Sequence, residues 1–164
     1  ALKVIGQNKD DVKIRAGLVI KGKKREDVFL SDCTVTGANA DGITVWKGAA
    51  MHSKNVCVEK CESCGVSVYS TKRNTMTDCN VNNNKESGVV VFDGGCMIID
   101  GSATTIHHNV TRGNSDSYGL YTDSSSSIHL KLLYKESIST NNGKQFPDLS
   151  VGGGGNYYGT IKTI

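Results

Sequence analysis

The clearest pattern along this chain is a short apolar alternation that returns at a fixed interval. Gly42-Ile43-Thr44-Val45, Gly65-Val66-Ser67-Val68 and Gly88-Val89-Val90-Val91 each read glycine, apolar, any residue, apolar, and their glycines stand 23 residues apart. Seven residues before each glycine comes a valine, Val35, Val58 or Val81, and two before that stands Cys33, Val56 or Cys79. Alternation of period two with β-branched residues describes a half-buried strand, and the Asn, Gly, Cys and Ser residues in between describe turns. Each repeat thus contributes two short strands, and third strands are expected at 28–30, 51–53, 75–77, 97–99, 128–132 and 160–164. Weaker copies flank the clear ones: Gly17-Leu18-Val19-Ile20 before them, then Gly119-Leu120-Tyr121-Thr122 and Asp148-Leu149-Ser150-Val151, for about six rungs in all.

A repeat of this length with three strands per turn suits a parallel β-helix, in which each rung rests on the last at the strand spacing of ~4.8 Å. A leucine-rich repeat has a similar period, but its spaced leucines and helix-forming segment are missing. An antiparallel sandwich would not require glycines and inward valines to recur in step. The stretch from Gly65-Val66-Ser67-Val68-Tyr69 through Asn80-Val81-Asn82-Asn83-Asn84 to Gly88-Val89-Val90-Val91-Phe92 resembles the right-handed β-helix repeats of the pectate-lyase-like superfamily, also described as carbohydrate-binding and sugar-hydrolase repeats. More loosely, the resemblance runs from about Gly17 to Val151. It implies an all-β, right-handed parallel β-helix. The superfamily holds polysaccharide lyases, hydrolases and epimerases, but also viral spikes and binding domains, so it implies no single activity. None of the enzymes' motifs is present: no Asn-Thr-Asp with a later Gly-His-Gly, no Arg-x-Pro-x-x-Arg and no Asp-Pro-His-Asp.

Composition agrees with a chain that turns often. Among 164 residues there are 19 Gly, a single proline, Pro147, and 37% hydrophobic residues, and a single domain over 1–164 is expected. The start at Ala1 fits a processed secreted protein or a domain excised from a longer one, with an extracellular or surface location slightly favoured. A net charge of +3 is too mild to imply nucleic acid. The one basic run, Lys21, Lys23, Lys24 and Arg25, is followed at once by Glu26 and Asp27 and reads as a solvated turn. No stretch approaches the ~20 apolar residues of a membrane helix.

Six cysteines allow three disulfides in an oxidising compartment. Cys33 and Cys79 share one repeat position with Val56 between them, so they read as inward core residues roughly 10 Å apart, too far to bridge. Cys57, Cys61 and Cys64 have the spacing of an iron–sulfur motif, yet Cys57 falls inside an expected strand; a Cys61–Cys64 disulfide or free thiols suit this turn better. His52, His107, His108 and His129 show no zinc spacing, and His107 and His108 should point to opposite faces if their segment is a strand. No metal site and no cofactor are expected. Asn109-Val110-Thr111 is a formal glycosylation acceptor.

The outward positions carry the candidate chemistry. Four residues after each glycine come Trp46, Tyr69 and Phe92, again at intervals of 23, which predicts a ladder of rings on one sheet with Lys47 beside it. Exposed contiguous aromatics are usually covered by something, a sugar ring or a partner's apolar surface. They also stabilise solenoids by stacking on themselves, and the long segment between Phe92 and Gly119 could fold over them. In the next rungs Asp123 and Gly152 take the aromatic position, and Asp93 follows Phe92. Asp93 and Asp123, with Tyr121 beside them, are the candidates for a catalytic carboxylate pair, and solvated strand ends explain them equally.

The sequence therefore supports a binding β-helix that recognises a polysaccharide or a protein partner through Trp46, Lys47, Tyr69 and Phe92. A polysaccharide lyase, hydrolase or epimerase is the first alternative, and a structural or self-assembling domain is the second. Terminal rungs expose strand edges, so self-association through the ends is also expected.

Overall fold

A computed structural model of the chain describes residues 1–23, 25–112, 115–143 and 155–164. Lys24 of the basic run, Pro147, the strand expected at 148–151 and Gly152 lie outside the described residues. The architecture is a parallel β-solenoid of about five turns, against the six rungs read from the sequence.

Its strands form two sheets. The smaller runs, in spatial order, Tyr157–Tyr158, Leu120–Thr122, Val89–Phe92, Val66–Tyr69, Ile43–Trp46 and Leu18–Lys21, every neighbour parallel. The repeated glycine motif is thus one strand per turn of this sheet, with Val66 and Val68 beside Val89 and Val91 in register. Its last strand is Tyr157–Tyr158, preceded by Asn156 where earlier turns have glycine.

The larger sheet has eleven strands. The two strands expected around 28–30 and 33–35 are one bent strand, Asp27–Thr36, and likewise Ala50–Glu59 continues past its bend. One turn later the bend separates Asn74–Thr77 from Asn80–Asn82. The bend is a residue with left-handed backbone, recurring as Asp32, Asn55 and Asp78 with φ of 54, 52 and 53°. Two other corners recur likewise, at Lys47, Ser70 and Asp93 and at Gly37, Lys60, Asn83, His108 and Asn141. Left-handed backbone is tolerated best by Gly, Asn and Asp, which explains much of the composition. The same geometry corrects one expectation: the strand Thr105–His107 ends before His108, whose φ of 54° brings the two imidazoles side by side instead of to opposite faces. Their Nδ1 atoms are 2.7 Å apart.

Inward side chains stack from turn to turn. Ile43, Val45, Val66, Val68, Val89 and Val91 are buried, as are Leu30, Met76, Ile99 and Leu130 on the opposite wall. Each full burial of such a side chain contributes about 1.5–3 kcal/mol. Cys33 and Cys79 are buried in the same stack, and all six cysteines are unpaired.

Two devices close the corner before the small sheet. The repeat glycines are needed for space: a Cβ on Gly65 would lie 2.5 Å from Val81 Cγ1 and 2.7 Å from the Gly88 carbonyl oxygen. Beside them runs a buried column of asparagines. Asn84 Oδ1 accepts from the Cys61 amide, Asn109 Oδ1 from the Asn84 amide, Asn142 Oδ1 from the Asn109 amide and Asn156 Oδ1 from the Asn142 amide. Neighbouring side chains in the column also bond each other, Asn84 Nδ2 donating to Asn109 Oδ1 at 2.8 Å and Asn109 Nδ2 to Asn142 Oδ1 at 3.0 Å. Turn amides that have no strand partner are satisfied in this way.

At the ends, among the described residues, Leu2–Ile5 pairs with Asp27–Thr36 alone and Ile161–Thr163 with Ser127–Leu130 alone. Among the described residues the only helix, Lys135–Ile138, is four residues long, and none there is long and apolar enough to cross a membrane.

Candidate functional site

The outward face of the small sheet carries a row of rings, displaced from the one read in the sequence. Tyr69 and Phe92 stack as expected, paired in register with centroids 5.5 Å apart. Trp46 does not continue this row among the described ring contacts. Strand pairing on that side ends at Val45 and Val68, one residue short of Trp46 and Tyr69, and the Lys47 ammonium sits 4.2 Å from the indole centroid. The Trp46 Nε1 is buried without a hydrogen-bond partner among the described residues.

In the other direction the row extends further than the repeat foretells. Tyr121 stands two residues after its glycine, opposite Val90, yet its ring meets Phe92 at 5.4 Å. Tyr158, in register with Tyr121, stacks on it at 5.6 Å, and Tyr118 packs against both at 5.7 and 5.2 Å. Five rings from four consecutive turns therefore make one surface: Tyr69, Phe92, Tyr121, Tyr118 and Tyr158. Offset stacking of this kind contributes roughly 0.5–1.5 kcal/mol per pair beyond burial. All but Tyr158 are half-buried, and Tyr158 is exposed.

Two depressions adjoin this surface and share Asp116 and Tyr121. The larger, of about 350 Å³, has Val90 in its wall with Tyr69, Phe92 and Tyr121, and is edged by the carboxylates of Asp41, Glu86 and Asp116. The smaller, of about 220 Å³, lies among Asp116, Tyr118, Tyr121 and Tyr158. Together they are of the size of ordinary ligand sites, roughly 300–1,000 Å³. Asp41 and Glu86 are placed by the turn before the repeat glycine: Asp41 Oδ1 accepts from the Cys64 amide at 3.1 Å and Glu86 Oε2 from the Ser63 hydroxyl at 3.1 Å. Arg112 approaches Glu86 Oε1 at 3.6 Å. Burial, and then the charge of Asp41, push the Tyr69 phenol above its ordinary pKa. Cys64, also in the wall, is pushed up to about 11 by burial first and Asp41 second, so it is a thiol and no nucleophile at neutral pH.

The carboxylates singled out as a catalytic pair are engaged otherwise. Asp123 Oδ2 accepts from the Asp93 amide at 2.8 Å, and Oδ1 from the Ser125 amide and hydroxyl. Desolvation raises the Asp123 pKa, but hydrogen bonds from Ser126, the Asp93 amide and Ser125 outweigh it and hold the group down at about 2. Asp93 is exposed at a left-handed corner. The geometry thus joins these two residues through a backbone amide, as a brace between turns. Among the described residues no three His, Cys, Asp or Glu side chains stand close enough to hold a metal.

A second polar cluster lies on the larger sheet. His52 stacks on Phe29 at 4.9 Å, its Nδ1 is 3.0 Å from Thr75 Oγ1, and Asp27 Oδ1 meets Arg73 at 2.6 Å and His52 Nε2 at 3.7 Å. Phe29, His52 and Thr75 lie in register on adjacent turns, which accounts for their meeting, and Arg73 reaches Asp27 from two turns away.

A stack of parallel turns with inward valines, left-handed corners and an asparagine column defines a β-solenoid, and the family comparison gives its class. The family model described as right handed beta helix region matches residues 8–143, and the chain belongs to that family. No curated protein and no solved structure matched the chain.

Proposed function

We propose that this β-helix is a binding module that holds a saccharide chain along the ring surface of its small sheet. The observation that carries this reading is the continuous row Tyr69, Phe92, Tyr121 and Tyr158 beside two adjoining depressions. Pyranose rings present an apolar face of C–H groups that stacks on an aromatic ring and a rim of hydroxyls that needs polar partners. Asp41, Glu86 and Asp116 supply acceptors at the edge, and Ser63 and Ser87 line the same wall. Successive rings come from successive turns, so the surface repeats along the solenoid axis, as does a polymer lying on it. Binding without turnover is favoured because Asp123 is committed to the Asp93 turn.

Calorimetric titration with a panel of neutral, acidic and amino hexasaccharides tests the reading. Saturable binding to at least one, weakened roughly tenfold by Tyr121→Ala, is the expected result, since a well-packed ring at a binding surface contributes on the order of 1–2 kcal/mol. Binding to none of the panel would refute it, and new reducing ends or unsaturated products would move the protein to the enzymes.

A further inference from the structure

The charge around the larger depression narrows the ligand further. Among the described residues its wall contains three carboxylates, Asp41, Glu86 and Asp116, and no Lys, Arg or His side chain. The nearest guanidinium, Arg112, is drawn to the rim, where it meets Glu86, Glu62 and the Glu62 carbonyl. Asp41 spends one oxygen on the Cys64 amide and Glu86 one on the Ser63 hydroxyl, which orients both groups, and Glu86 shares the Arg112 guanidinium with Glu62. Aromatic faces add to the same sign, because a π system attracts cations.

We propose that this depression selects saccharides carrying a protonated amine, amino-sugar units in place of neutral or uronate ones. The inference rests on the saccharide-binding reading and deepens it. A uronate would set its carboxylate against Asp41, Glu86 and Asp116, and an N-acetyl group would remove the cation that these groups and the rings attract. An ammonium at the same place pairs with the Glu86 or Asp41 carboxylate and lies within reach of the Phe92 and Tyr121 faces.

The test is calorimetric titration at pH 5.5 and low salt with three probes, the hexamers of glucosamine, N-acetylglucosamine and galacturonic acid. The glucosamine hexamer should bind at least tenfold tighter than the acetylated one, and the galacturonate hexamer should bind weakest. Asp41→Asn combined with Glu86→Gln keeps the hydrogen-bond acceptors for Cys64 and Ser63 and should abolish the preference, so that the glucosamine and acetylated hexamers bind with equal affinity. Should that double variant fail to fold, the wild type serves: raising salt from 50 to 500 mM should shrink the preference several-fold, as screening of an ion contact requires. Equal or tighter binding of the acetylated or galacturonate hexamer would overturn the amine selection while sustaining the saccharide reading. Binding of none of the three would overturn both. A lysine hexapeptide binding more tightly than the glucosamine hexamer, with the same dependence on Glu86, would move the ligand to basic peptides and overturn the proposal.

Discussion

Removing one asparagine from the buried column should weaken the whole solenoid, and Asn109 is the place to do it. Its Oδ1 accepts from both the amide and the side chain of Asn84, and its Nδ2 donates to the Val81 and His107 carbonyls and to Asn142 Oδ1. In Asn109→Ala the Asn142 side chain keeps the Asn109 amide and the Asn84 side chain keeps the Val58 carbonyl, but the Asn84 amide loses its acceptor. A buried amide left unpaired costs about 1–3 kcal/mol, and each further bond lost about 0.5–1.5 kcal/mol. A total of about 3 kcal/mol corresponds to a fall in melting temperature of roughly 6–12 °C for a chain of this size. Asn109→Asp separates hydrogen bonding from packing. The aspartate is nearly isosteric but sets an oxygen against three acceptors, so it should cost at least as much as alanine at pH 7. Melting followed by circular dichroism measures both, with the exposed Ser102→Ala as a control expected within about 0.5 kcal/mol of wild type. A neutral Asn109→Asp, or an alanine variant melting within 2 °C of wild type, would refute the view that this column holds the turns together.

Other consequences follow from the same geometry. Gly65→Ala should lower stability by about 3 kcal/mol, because the new Cβ meets the Gly88 carbonyl, which belongs to the next turn and cannot rotate away; an unchanged melting curve would contradict the turn-to-turn spacing. Under native conditions at pH 7.5, Cys33 and Cys79 should resist iodoacetamide, Cys33 being pushed up to about 11 by burial and then by Asp32, whereas the half-buried Cys96 should react before them. Mass mapping that finds a Cys33–Cys79 disulfide would show the register to be wrong. The Asp123 carboxyl, at about 2 when folded and about 3.8 as a free side chain, contributes stability that is complete above about pH 4 and is lost as pH falls through 2. Asp32, held down by Asn55 and then Ser31, and Asp100, held down by the Gly101 amide and then Lys131, act in the same sense. Melting temperature should thus fall between pH 4 and 2, less steeply in Asp123→Asn; an equally steep fall in that variant would count against the brace.

What could be read from the sequence divides along physical lines. The strand of the small sheet repeats every 23 residues because inward valines and the space-limited glycine both recur, and alternation makes them visible. The third strands were also visible, since Val28, Met51, Thr75, Met97 and Ile128 fall in observed strands. The corners and the asparagine column were not, because nothing in the sequence marks Asn84, Asn109 and Asn142 off from buried Asn74 and Asn82 or from the exposed asparagines. The ring row was misplaced at both ends. Trp46 keeps the spacing but lies beyond the part of its strand that pairs with Val66–Tyr69, while Tyr121 lies two positions nearer its glycine and reaches Phe92 by crossing the strand direction, with Tyr158 stacked on Tyr121. Asp116 and Tyr118 follow the insertion after Phe92, and Asp41 and Glu86 stand at turn positions whose residue type does not repeat, Asp41 being followed at its position by Cys64 and Ser87.

The account stands most directly on where a ligand sits. Nuclear magnetic resonance titration with the tightest-binding oligosaccharide of the panel, following aromatic ring signals, would locate it. The account predicts that the shifted signals are those of Tyr69, Phe92, Tyr121, Tyr118 and Tyr158, with the rings of Phe29 and His52 on the other sheet unmoved. Shifts confined to Phe29 and His52, or to Trp46 alone, would contradict it.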